Sequence, residues 1–465
     1  MGRAAKLRLG LALVAGAGCR VGAFVCEHDE QCVGPEGIGF CEADGACSFP
    51  DDSCASGRRY GDHAPAGRGG RCVEPVDGST GVADTGVSTS TVGGSSAQAE
   101  VSSGSGADDS ASTTGVRTGD VGVACPPGWL LCAMHRRMRL VATPSAGAMV
   151  SESAVTLPVV LTLDRFDLAT AQPAGEDLRV VGAQGEALPH EIERWSPEEG
   201  ALLWVRVPEL PPDGTTAWLY WGDATAADAQ DPATVWADHA GVWHLDAALD
   251  DATQGGHLGV ASGEVAPAAG MLGEAQAFTG TDGRITVAGD ETLDNVCFGG
   301  CTLSAWIAAT SWGGTLRGRI ADKSGGGNGG WMFYVDGNSG GELRFRHGFA
   351  TAQQIWGTPP MSLTLEQWHH VAATYDALGD APPRLYIDGV EQPVALDSGS
   401  PLGGPVMDDG VELLIGDSDV PSRWFDGRID ELRVEHVVRM PSWIALQAQA
   451  GADALLEYGA VETWP

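Results

Sequence analysis

The stretch WHHVAATYDALGDAPPRLYIDGVEQP, residues 368–393, predicts the fold of the C-terminal half of the chain. Its first part alternates between apolar and polar residues, which is the period of a β-strand. Asp388-Gly389 then lies between two apolar runs, which favours a two-residue hairpin turn with positive φ at both central residues. Because neighbouring strand residues face opposite sides, His369 and His370 cannot share one pocket. We therefore expect a hairpin with one packed histidine and one rim histidine, rather than a metal-binding pair.

Short β-like runs continue from Gly241 to the C-terminus, with a helix expected only near 442–450, and their number fits a two-sheet sandwich. An ordered set of motifs in this part resembles the LamG-like, concanavalin A-like jelly-roll domains. The motifs are VWHLD (242–246), AQAFTGTDGRITV (275–287), TLSAWI (302–307), QWHHVAATYD (367–376), RLYIDGVE (384–391) and WFDGRIDELRV (424–434). The resemblance covers about 240–458 and implies two stacked antiparallel sheets and, in many relatives, a structural calcium ion. Function varies widely across this family, so the fold alone does not determine it.

A second group of strand-like runs precedes the jelly roll and predicts a smaller β-sandwich over 125–230. In ALLWVRV (201–207), Leu203, Val205 and Val207 share one face and Trp204 the other, as in a half-buried strand. The runs LPHEIERW (188–195), LWVRVPEL (203–210) and AWLYWGD (217–223) resemble a bacterial β-domain of unassigned function that is often found before LamG-like modules. This resemblance implies no activity.

The N-terminal segment MGRAAKLRLGLALVAGAGC, residues 1–19, predicts an export signal, because basic residues precede an apolar run too short to span a bilayer. Its end resembles a bacterial lipoprotein processing site, with Cys19 as the lipidated residue. The alternative is ordinary cleavage after Ala23. Setting Cys19 aside from the 11 cysteines leaves an even ten, as expected for an exported protein with disulfides. We expect an outer-membrane or cell-surface lipoprotein, or otherwise a secreted protein.

A small cysteine-rich head over 20–72 is expected to depend on disulfides, because so short a segment cannot bury much core. Its spacings lack paired C-x2-C units, which disfavours a zinc site. The stretch SCASGRRYGDHAPAGRGGRC (53–72) resembles the heads of bacterial surface lipoproteins. Six cysteines allow many pairings, so connectivity stays open. These cysteines are Cys26, Cys32, Cys41, Cys47, Cys54 and Cys72.

Residues 73–124 are rich in Ser, Thr, Gly and Asp and contain no aromatic residue. Such a segment cannot bury enough apolar surface to offset its ordering entropy, so we predict a disordered linker. Two local disulfides are predicted after it, Cys125–Cys132 and Cys297–Cys301. The predicted fold class is thus all-β, with a disulfide-rich head, a disordered linker, a smaller β-sandwich and a C-terminal two-sheet antiparallel jelly-roll sandwich.

The chain is strongly acidic, with a formal net charge of −35, and its lysines are Lys6 and Lys323. Such a surface repels phosphate backbones, which excludes nucleic acid as a partner. The expected partners are an extracellular glycan or a surface protein, with membrane contact only through the N-terminal lipid anchor.

The strand RIDELRV, 428–434, predicts a buried carboxylate. Alternation places Leu432 and Val434 on one face with Asp430, and Glu431 on the other, so either inward face carries an acid. A buried carboxylate must be paired or bind a cation. Together with the family resemblance, this predicts calcium as a structural cofactor; the alternative is a salt bridge to Arg428 or Arg284, or rim exposure. The candidate ligands are Asp430, Asp246 and Asp282.

Tryptophan is abundant, and flat side chains in loops are suited to stacking against sugar rings. The candidates for glycan binding are Trp312, Trp356 and Trp424, which fall in or beside loop-like stretches. The alternative for each is packing in the core or at its rim. Three other tryptophans fall within strand motifs and are expected in the core: Trp243, Trp306 and Trp368.

Catalytic motifs are poorly supported. GNSGG at 337–341 matches the Gly-x-Ser-x-Gly pattern, but it lies between two strands of a hairpin, whereas a nucleophile elbow needs a following helix. The sequence contains neither E-x-D-x-x-E nor His-Glu-x-x-His. The favoured interpretation is a non-catalytic, exported, cell-surface binding or adhesion protein. The alternatives are a polysaccharide hydrolase or lyase on the jelly-roll scaffold and a structural cell-envelope spacer.

Overall fold

The computed structural model divides the chain into two compact units, Met1–Asp108 and Asp109–Pro465, which are described separately. It describes residues 33–34, 37–38, 40–42, 47–50, 54, 58–60, 71–73, 125–145, 154–350, 353–377, 381–399 and 404–464. The predicted signal with Cys19, the head residues Cys26 and Cys32, and the linker from 74 to 124 lie outside these residues. Within the described ranges, no helix is long and apolar enough to cross a membrane.

The described residues of the first unit form five short strands. They form a two-stranded sheet, β1-β2, and a three-stranded antiparallel sheet, β3-β4-β5. A disulfide joins Cys54 to Cys72, one of the pairings that the sequence left open, and Cys47 is also disulfide-bonded. The strands are β1 Val33–Gly34, β2 Gly37–Ile38, β3 Phe40–Cys41, β4 Cys47–Pro50 and β5 Arg58–Tyr60.

The second unit begins with the smaller sandwich, in which Cys125 is joined to Cys132. One of its sheets has the order β10-β11-β7. Leu203, Val205 and Val207 of β11 point into its core, and Trp204 points the other way, as the alternation predicted. The strands are β6 Arg136–Ala142, β7 Val155–Leu161, β8 Arg179–Gly182, β9 Ala187–Leu188, β10 His190–Ser196, β11 Gly200–Val207 and β12 Thr215–Trp221. Helix α1, Pro232–Val235, leads out of the sandwich.

The jelly roll follows as two antiparallel sheets with one continuous core between them. The first sheet has the order β15-β16-β28-β18-β23-β24-β25, with β13 also paired to β28, and the second β14-β17-β27-β19-β20-β21-β22-β26. Its strands are β13 His239–Trp243, β14 Gly259–Ser262, β15 Val265–Ala269, β16 Glu274–Thr279, β17 Arg284–Val287, β18 Cys301–Ala309, β19 Arg319–Lys323, β20 Trp331–Asp336, β21 Glu342–Gly348, β22 Gln353–Gly357, β23 His369–Tyr375, β24 Arg384–Ile387, β25 Val390–Gln392, β26 Ala395–Ser398, β27 Leu413–Ile415 and β28 Asp426–Glu435. Helix α2, Val296–Gly299, precedes β18, and Cys297 is joined to Cys301.

The hairpin predicted at 388–389 is confirmed. Ile387 pairs with Val390, and Asp388 and Gly389 have φ values of 52° and 76°, the positive values that this tight turn requires. His370 is buried, whereas His369 lies at the rim with its Nδ1 2.8 Å from Asp388 Oδ2. The two histidines therefore lie in separate environments, as the alternation of strand residues between opposite faces predicted.

The chain ends by returning to the smaller sandwich. After the jelly roll, helix α3, Pro441–Gly451, inserts Trp443, Ile444 and Leu446 into the core of that sandwich. Strand β29, Leu456–Thr463, then pairs with β6 and completes a five-stranded sheet of order β29-β6-β12-β8-β9. Residues 456–458, which fall inside the predicted range 240–458, thus belong to a strand that pairs with the smaller sandwich.

Candidate functional site

A histidine and two glutamates meet where the two sandwiches of the second unit pack together. We call Glu193, His244 and Glu431 the junction cluster; one ligand atom from each lies within 4.8 Å of the others. His244 Nδ1 is 2.8 Å from Glu431 Oε1 and 3.4 Å from Glu193 Oε2. Glu193 comes from β10 of the smaller sandwich, His244 follows β13, and Glu431 lies in β28 of the jelly roll. The cluster therefore joins three segments that are distant in sequence.

A β-bulge in β28 explains why Glu431 reaches the junction. The pairing of β18 with β28 shifts register between Ser304 and Trp306, and Glu431 has a φ of 52°. As a result, Ile429 and Leu432 both face the jelly-roll core. The predicted strict alternation through this strand is therefore wrong, because the bulge adds one residue and changes which side each residue faces.

Asp430 is buried, as the sequence predicted for one acid of this strand. Its side chain is wholly inaccessible, and its Oδ2 accepts hydrogen bonds from the backbone N–H groups of Met271 and Leu272 at 2.7 and 2.9 Å. Oδ1 has no hydrogen-bond partner within the described part of the chain. Burial raises the pKa of Asp430 well above its usual range, and the neighbouring Glu431 carboxylate adds to this.

Aromatic and cationic side chains enclose the junction cluster. The Trp204 ring stacks on His244 with centroids 5.6 Å apart, and Trp204 Nε1 donates a 2.6 Å hydrogen bond to Glu193 Oε2. Arg433 approaches Glu431 Oε2 to 2.8 Å and lies 4.5 Å above the Trp204 ring. On the far side of His244, Trp236 Nε1 donates to Glu191. The cluster is thus held by side chains that are themselves fixed by packing.

The electrostatics of the cluster follow from its burial among acids. Burial raises the pKa of Glu193 to about 8. Burial alone would lower the pKa of His244, but the carboxylates of Glu431 and Glu193 outweigh it and raise the pKa well above the usual range. For Glu431, His244 and Arg433 outweigh the effect of burial and lower the pKa. These groups therefore share charge while their side chains are almost completely buried.

A solvent-filled acidic cleft of about 370 Å³ borders the cluster, because Glu193 lines both. Asp246 also lines this cleft; it is half-buried, and its Oδ1 accepts a 2.8 Å hydrogen bond from the Ala248 N–H. Burial raises the pKa of Asp246. The other lining residues are Arg194, Ser196, Glu198, Glu199 and Glu274.

A second, wider cleft lies on the rim of the jelly roll. We call it the Trp424 cleft; its volume is about 480 Å³. Trp424 is half-buried in it, and Arg284 Nη1 lies 3.5 Å from Asp419 Oδ1. Burial raises the pKa of Asp417. The described residues that line the Trp424 cleft are Ser262, Gly263, Asp282, Arg284, Asp417, Ser418, Asp419, Pro421, Ser422 and Trp424.

The three predicted calcium ligands do not assemble into one site. Asp282 lines the Trp424 cleft, Asp246 lines the acidic cleft, and Asp430 is buried against the backbone of Met271 and Leu272. Asp282 is exposed, and its Oδ1 accepts from the Glu264 N–H. The three aspartates therefore have different surroundings, and a structural calcium ion stays a prediction from the family resemblance.

The predicted aromatic residues have different positions. Trp424 lines the rim cleft, and Trp312 is partly buried against the turn after β20. The prediction of an exposed platform at Trp356 is wrong, because Trp356 lies in β22, is 5% exposed and packs against the Phe345 ring at 6.3 Å. Trp243 and Trp306 are buried as expected. Trp368 is half-buried under the Arg428 guanidinium rather than in the core.

The junction cluster was not found from the sequence. Its members lie in HEIERW, VWHLD and RIDELRV, motifs whose alternation had indicated only strands. One available signal is that Glu191 and Glu193 occupy the same face of one strand, which places two carboxylates side by side. What they face depends on the packing of two sandwiches, which no local pattern records.

Comparison with known proteins agrees with this architecture. Residues 279–445 match the family model of the concanavalin A-like lectin/glucanases superfamily, of laminin G type, and residues 174–255 match a domain of unknown function, DUF2341. The chain carries a laminin G-like domain preceded by a DUF2341 domain. No curated protein matches the chain in sequence.

Several solved structures are similar to part of the chain. The binding domain of Paraclostridial Mosquitocidal Protein 1 is 14% identical with a TM-score of 0.38, over 46% of this chain and 52% of that structure. Domain 4 of AbnA, an extracellular arabinanase from Geobacillus stearothermophilus, in complex with arabinotriose, is 18% identical with a TM-score of 0.32, over 46% and 98%. The binding domain of botulinum neurotoxin serotype D/C is 16% identical with a TM-score of 0.38, over 46% and 52%. The chain spans about half the length of the first and third structures.

Proposed function

We propose that this chain is a non-catalytic, exported cell-surface protein whose laminin G-like domain binds an extracellular glycan in the Trp424 cleft. The observation that carries the proposal is the composition of that cleft, in which a half-exposed indole lies among carboxylates, hydroxyls and a guanidinium. The apolar face of a sugar ring stacks on an indole, while sugar hydroxyls donate to carboxylates and accept from arginine. A few convergent polar groups beside an aromatic surface are typical of ligand sites.

The charge of the cleft narrows the ligand class. Its described lining carries three aspartates, Asp282, Asp417 and Asp419, against Arg284. The whole chain is also strongly negative, with a formal charge of −35. Like charges repel an approaching ligand, so sulfated or phosphorylated glycans are disfavoured. The proposed ligand is a neutral glycan or one with amino sugars.

The proposed location at the cell surface rests on the N-terminal sequence. The segment 1–19 has the pattern of an export signal ending at Cys19, and the linker-like composition of 73–124 would hold the folded domains away from a membrane. Disulfides such as Cys54–Cys72 and Cys297–Cys301 suit an oxidising compartment. Surface exposure would give the Trp424 cleft access to extracellular glycans.

The test is binding of the full chain to a broad glycan array, in calcium and again in EDTA. We expect saturable binding to neutral or amino glycans, reduced more than about 10-fold by Trp424→Ala, because stacking anchors commonly contribute over 1.4 kcal/mol. The matched control is Trp368→Ala, which removes another half-buried indole outside the cleft. Binding that is lost in EDTA and restored by added calcium, but not by zinc, would support a calcium-dependent module.

Three outcomes contradict the proposal. Binding that Trp424→Ala and Trp368→Ala reduce equally would place the site elsewhere. No binding in either condition would favour a protein ligand or a structural spacer. Release of sugar from a bound polysaccharide would support a hydrolase or lyase instead.

A further inference from the structure

The junction cluster has the donor set of a transition-metal site rather than of a calcium site. Calcium takes oxygen ligands, whereas an imidazole nitrogen with two carboxylates suits zinc and related divalent ions. Ligand atoms about 2.0–2.2 Å from a tetrahedral ion lie roughly 3.4 Å from one another. His244 Nδ1 is 3.4 Å from Glu193 Oε2 and 2.8 Å from Glu431 Oε1, so a small outward adjustment of Glu431 would admit an ion.

The second nitrogen of His244 supports the same assignment. His244 Nε2 is buried and has no hydrogen-bond partner among the described residues, and Glu191 Oε2 lies 3.6 Å from it. Histidines that bind a metal usually donate their other ring N–H to a carboxylate, which fixes the ring and strengthens the ligand. With Nδ1 on an ion, the Nε2–H of His244 would point to Glu191, the carboxylate placed to fix the ring.

The formal charges of the cluster are compatible with a divalent ion. When His244 is the neutral imidazole that a metal ion requires, Glu191, Glu193 and Glu431 carry three negative charges, and Arg433 supplies one positive charge by pairing with Glu431. A divalent ion would balance the remaining two charges in a volume closed by Trp204, which is 1% exposed. It would replace the two protons that His244 and Glu193 hold when no ion is bound.

An entry route is present. Glu193 lines both the cluster and the acidic cleft, where Asp246, Glu198, Glu199 and Glu274 add negative charge. Arg194 is the basic residue in the described lining, so acidic side chains predominate, and such a cleft concentrates cations. Cations in solvent would therefore gather one side chain away from His244.

We propose that Glu193, His244 and Glu431 bind a divalent transition-metal ion that joins the DUF2341 domain to the laminin G-like domain. Glu193 contributes from β10 of the first domain, and Glu431 from β28 of the second. Such a centre bridges the two sandwiches directly. It is separate from the Trp424 cleft and does not depend on glycan binding.

The test uses the full chain, stripped with EDTA and dialysed, and ZnCl2 as the probe. Calorimetric titration and metal analysis should show one zinc site in the wild type that is absent in His244→Gln. The matched control is His369→Gln, which removes a histidine that also faces a carboxylate, Asp388, but at the rim. It should retain the site. Zinc should raise the melting temperature of the wild type and of His369→Gln but not of His244→Gln.

A second variant covers the case in which His244→Gln does not fold. Glu191→Gln keeps all three ligands and weakens the acceptor that faces His244 Nε2 and Trp236 Nε1, so zinc affinity should fall about 10- to 100-fold. Co²⁺ should give a visible d–d spectrum with the wild type that Glu193→Gln changes. Equal zinc content in the wild type and His244→Gln, or unchanged affinity in Glu191→Gln, would overturn the proposal and leave His244 as an imidazolium among carboxylates. Neither result bears on glycan binding, which is measured separately.

Discussion

The Trp424 cleft and the junction cluster contain the same kinds of side chain in opposite surroundings. Each places a tryptophan beside carboxylates and an arginine: Trp424 with Asp419 and Arg284, and Trp204 with Glu193 and Arg433. Trp424 is half-buried at an open rim, whereas Trp204 is 1% exposed. At the rim, water solvates the charges and can be exchanged for a ligand. At the junction, the same groups must satisfy one another.

The difference shows that burial, more than residue type, decides the role of such a group. An exposed ion pair contributes little to stability, about 0–1 kcal/mol, and leaves its members available. Removing one partner of a buried set is costly, because the remaining charge or polar atom has no solvent to replace it. The rim cleft is therefore suited to ligand binding, and the junction to holding the two domains together.

The largest expected effect is the difference in stability between Trp204→Ala and Trp424→Ala. Trp204→Ala should lower the free energy of unfolding by about 3–5 kcal/mol, because it opens a cavity and removes the donor to Glu193. Trp424→Ala should change it by less than about 1 kcal/mol, since the ring is already half in solvent. Urea unfolding of the two variants measures both values. Similar losses of stability in the two variants would contradict the distinction between the junction cluster and the Trp424 cleft.

The next largest effect is the loss of stability that the buried His347 causes as the pH falls. Burial lowers the pKa of His347 to about 4 from the usual 6.5. The unfolded chain then takes up a proton below pH 6.5, but the folded protein does so only near pH 4. The stability that neutral His347 contributes is present above pH 6.5 and is lost between pH 6.5 and 4, about 3 kcal/mol in all.

Between pH 7 and pH 4, the free energy of unfolding of His347→Phe should therefore fall by about 3 kcal/mol less than that of the wild type. Urea unfolding at each pH measures this difference. His369→Phe serves as the control, because His369 lies at the rim beside Asp388. An unchanged slope in His347→Phe would mean that His347 is not held neutral by burial.

The smallest effect concerns two glycines. Gly389 has a φ of 76°, and an added Cβ would lie 2.8 Å from the Ala445 Cα in α3. Gly410 has a φ of 65° with nothing within 4 Å of such a Cβ. Gly410→Ala should cost about 1 kcal/mol from backbone strain alone, and Gly389→Ala about 2 kcal/mol. Thermal unfolding of both tests the contact, and equal costs would mean that the hairpin is free of α3.

Local signals predicted the fold well, because strands and tight turns depend on neighbouring residues. The turn at Asp388-Gly389 and the inward face of β11 followed from alternation and turn chemistry. The pairing of β29 with β6 did not follow, since it joins the two ends of the second unit. Strand partners at that separation leave no local pattern in the sequence.

The sites were less predictable for two physical reasons. The bulge at Glu431 changes which side of the sheet the following residues of β28 face, and no glycine or proline next to it marks the bulge in the sequence. His244 and Glu431 are 187 residues apart, so their contact depends on the packing of whole domains. Trp424 lies in a loop at the rim, as its loop-like sequence predicted, whereas the loop-like sequence around Trp356 forms β22.

The central claim is that the Trp424 cleft is the ligand-binding region. The most direct test is hydrogen–deuterium exchange of the full chain with and without a saturating amount of the tightest-binding saccharide from the array. We predict slower exchange at 417–424 and 281–284, and no change at the junction segments 191–194 and 430–433. Protection at the junction segments, or at neither region, would contradict the account.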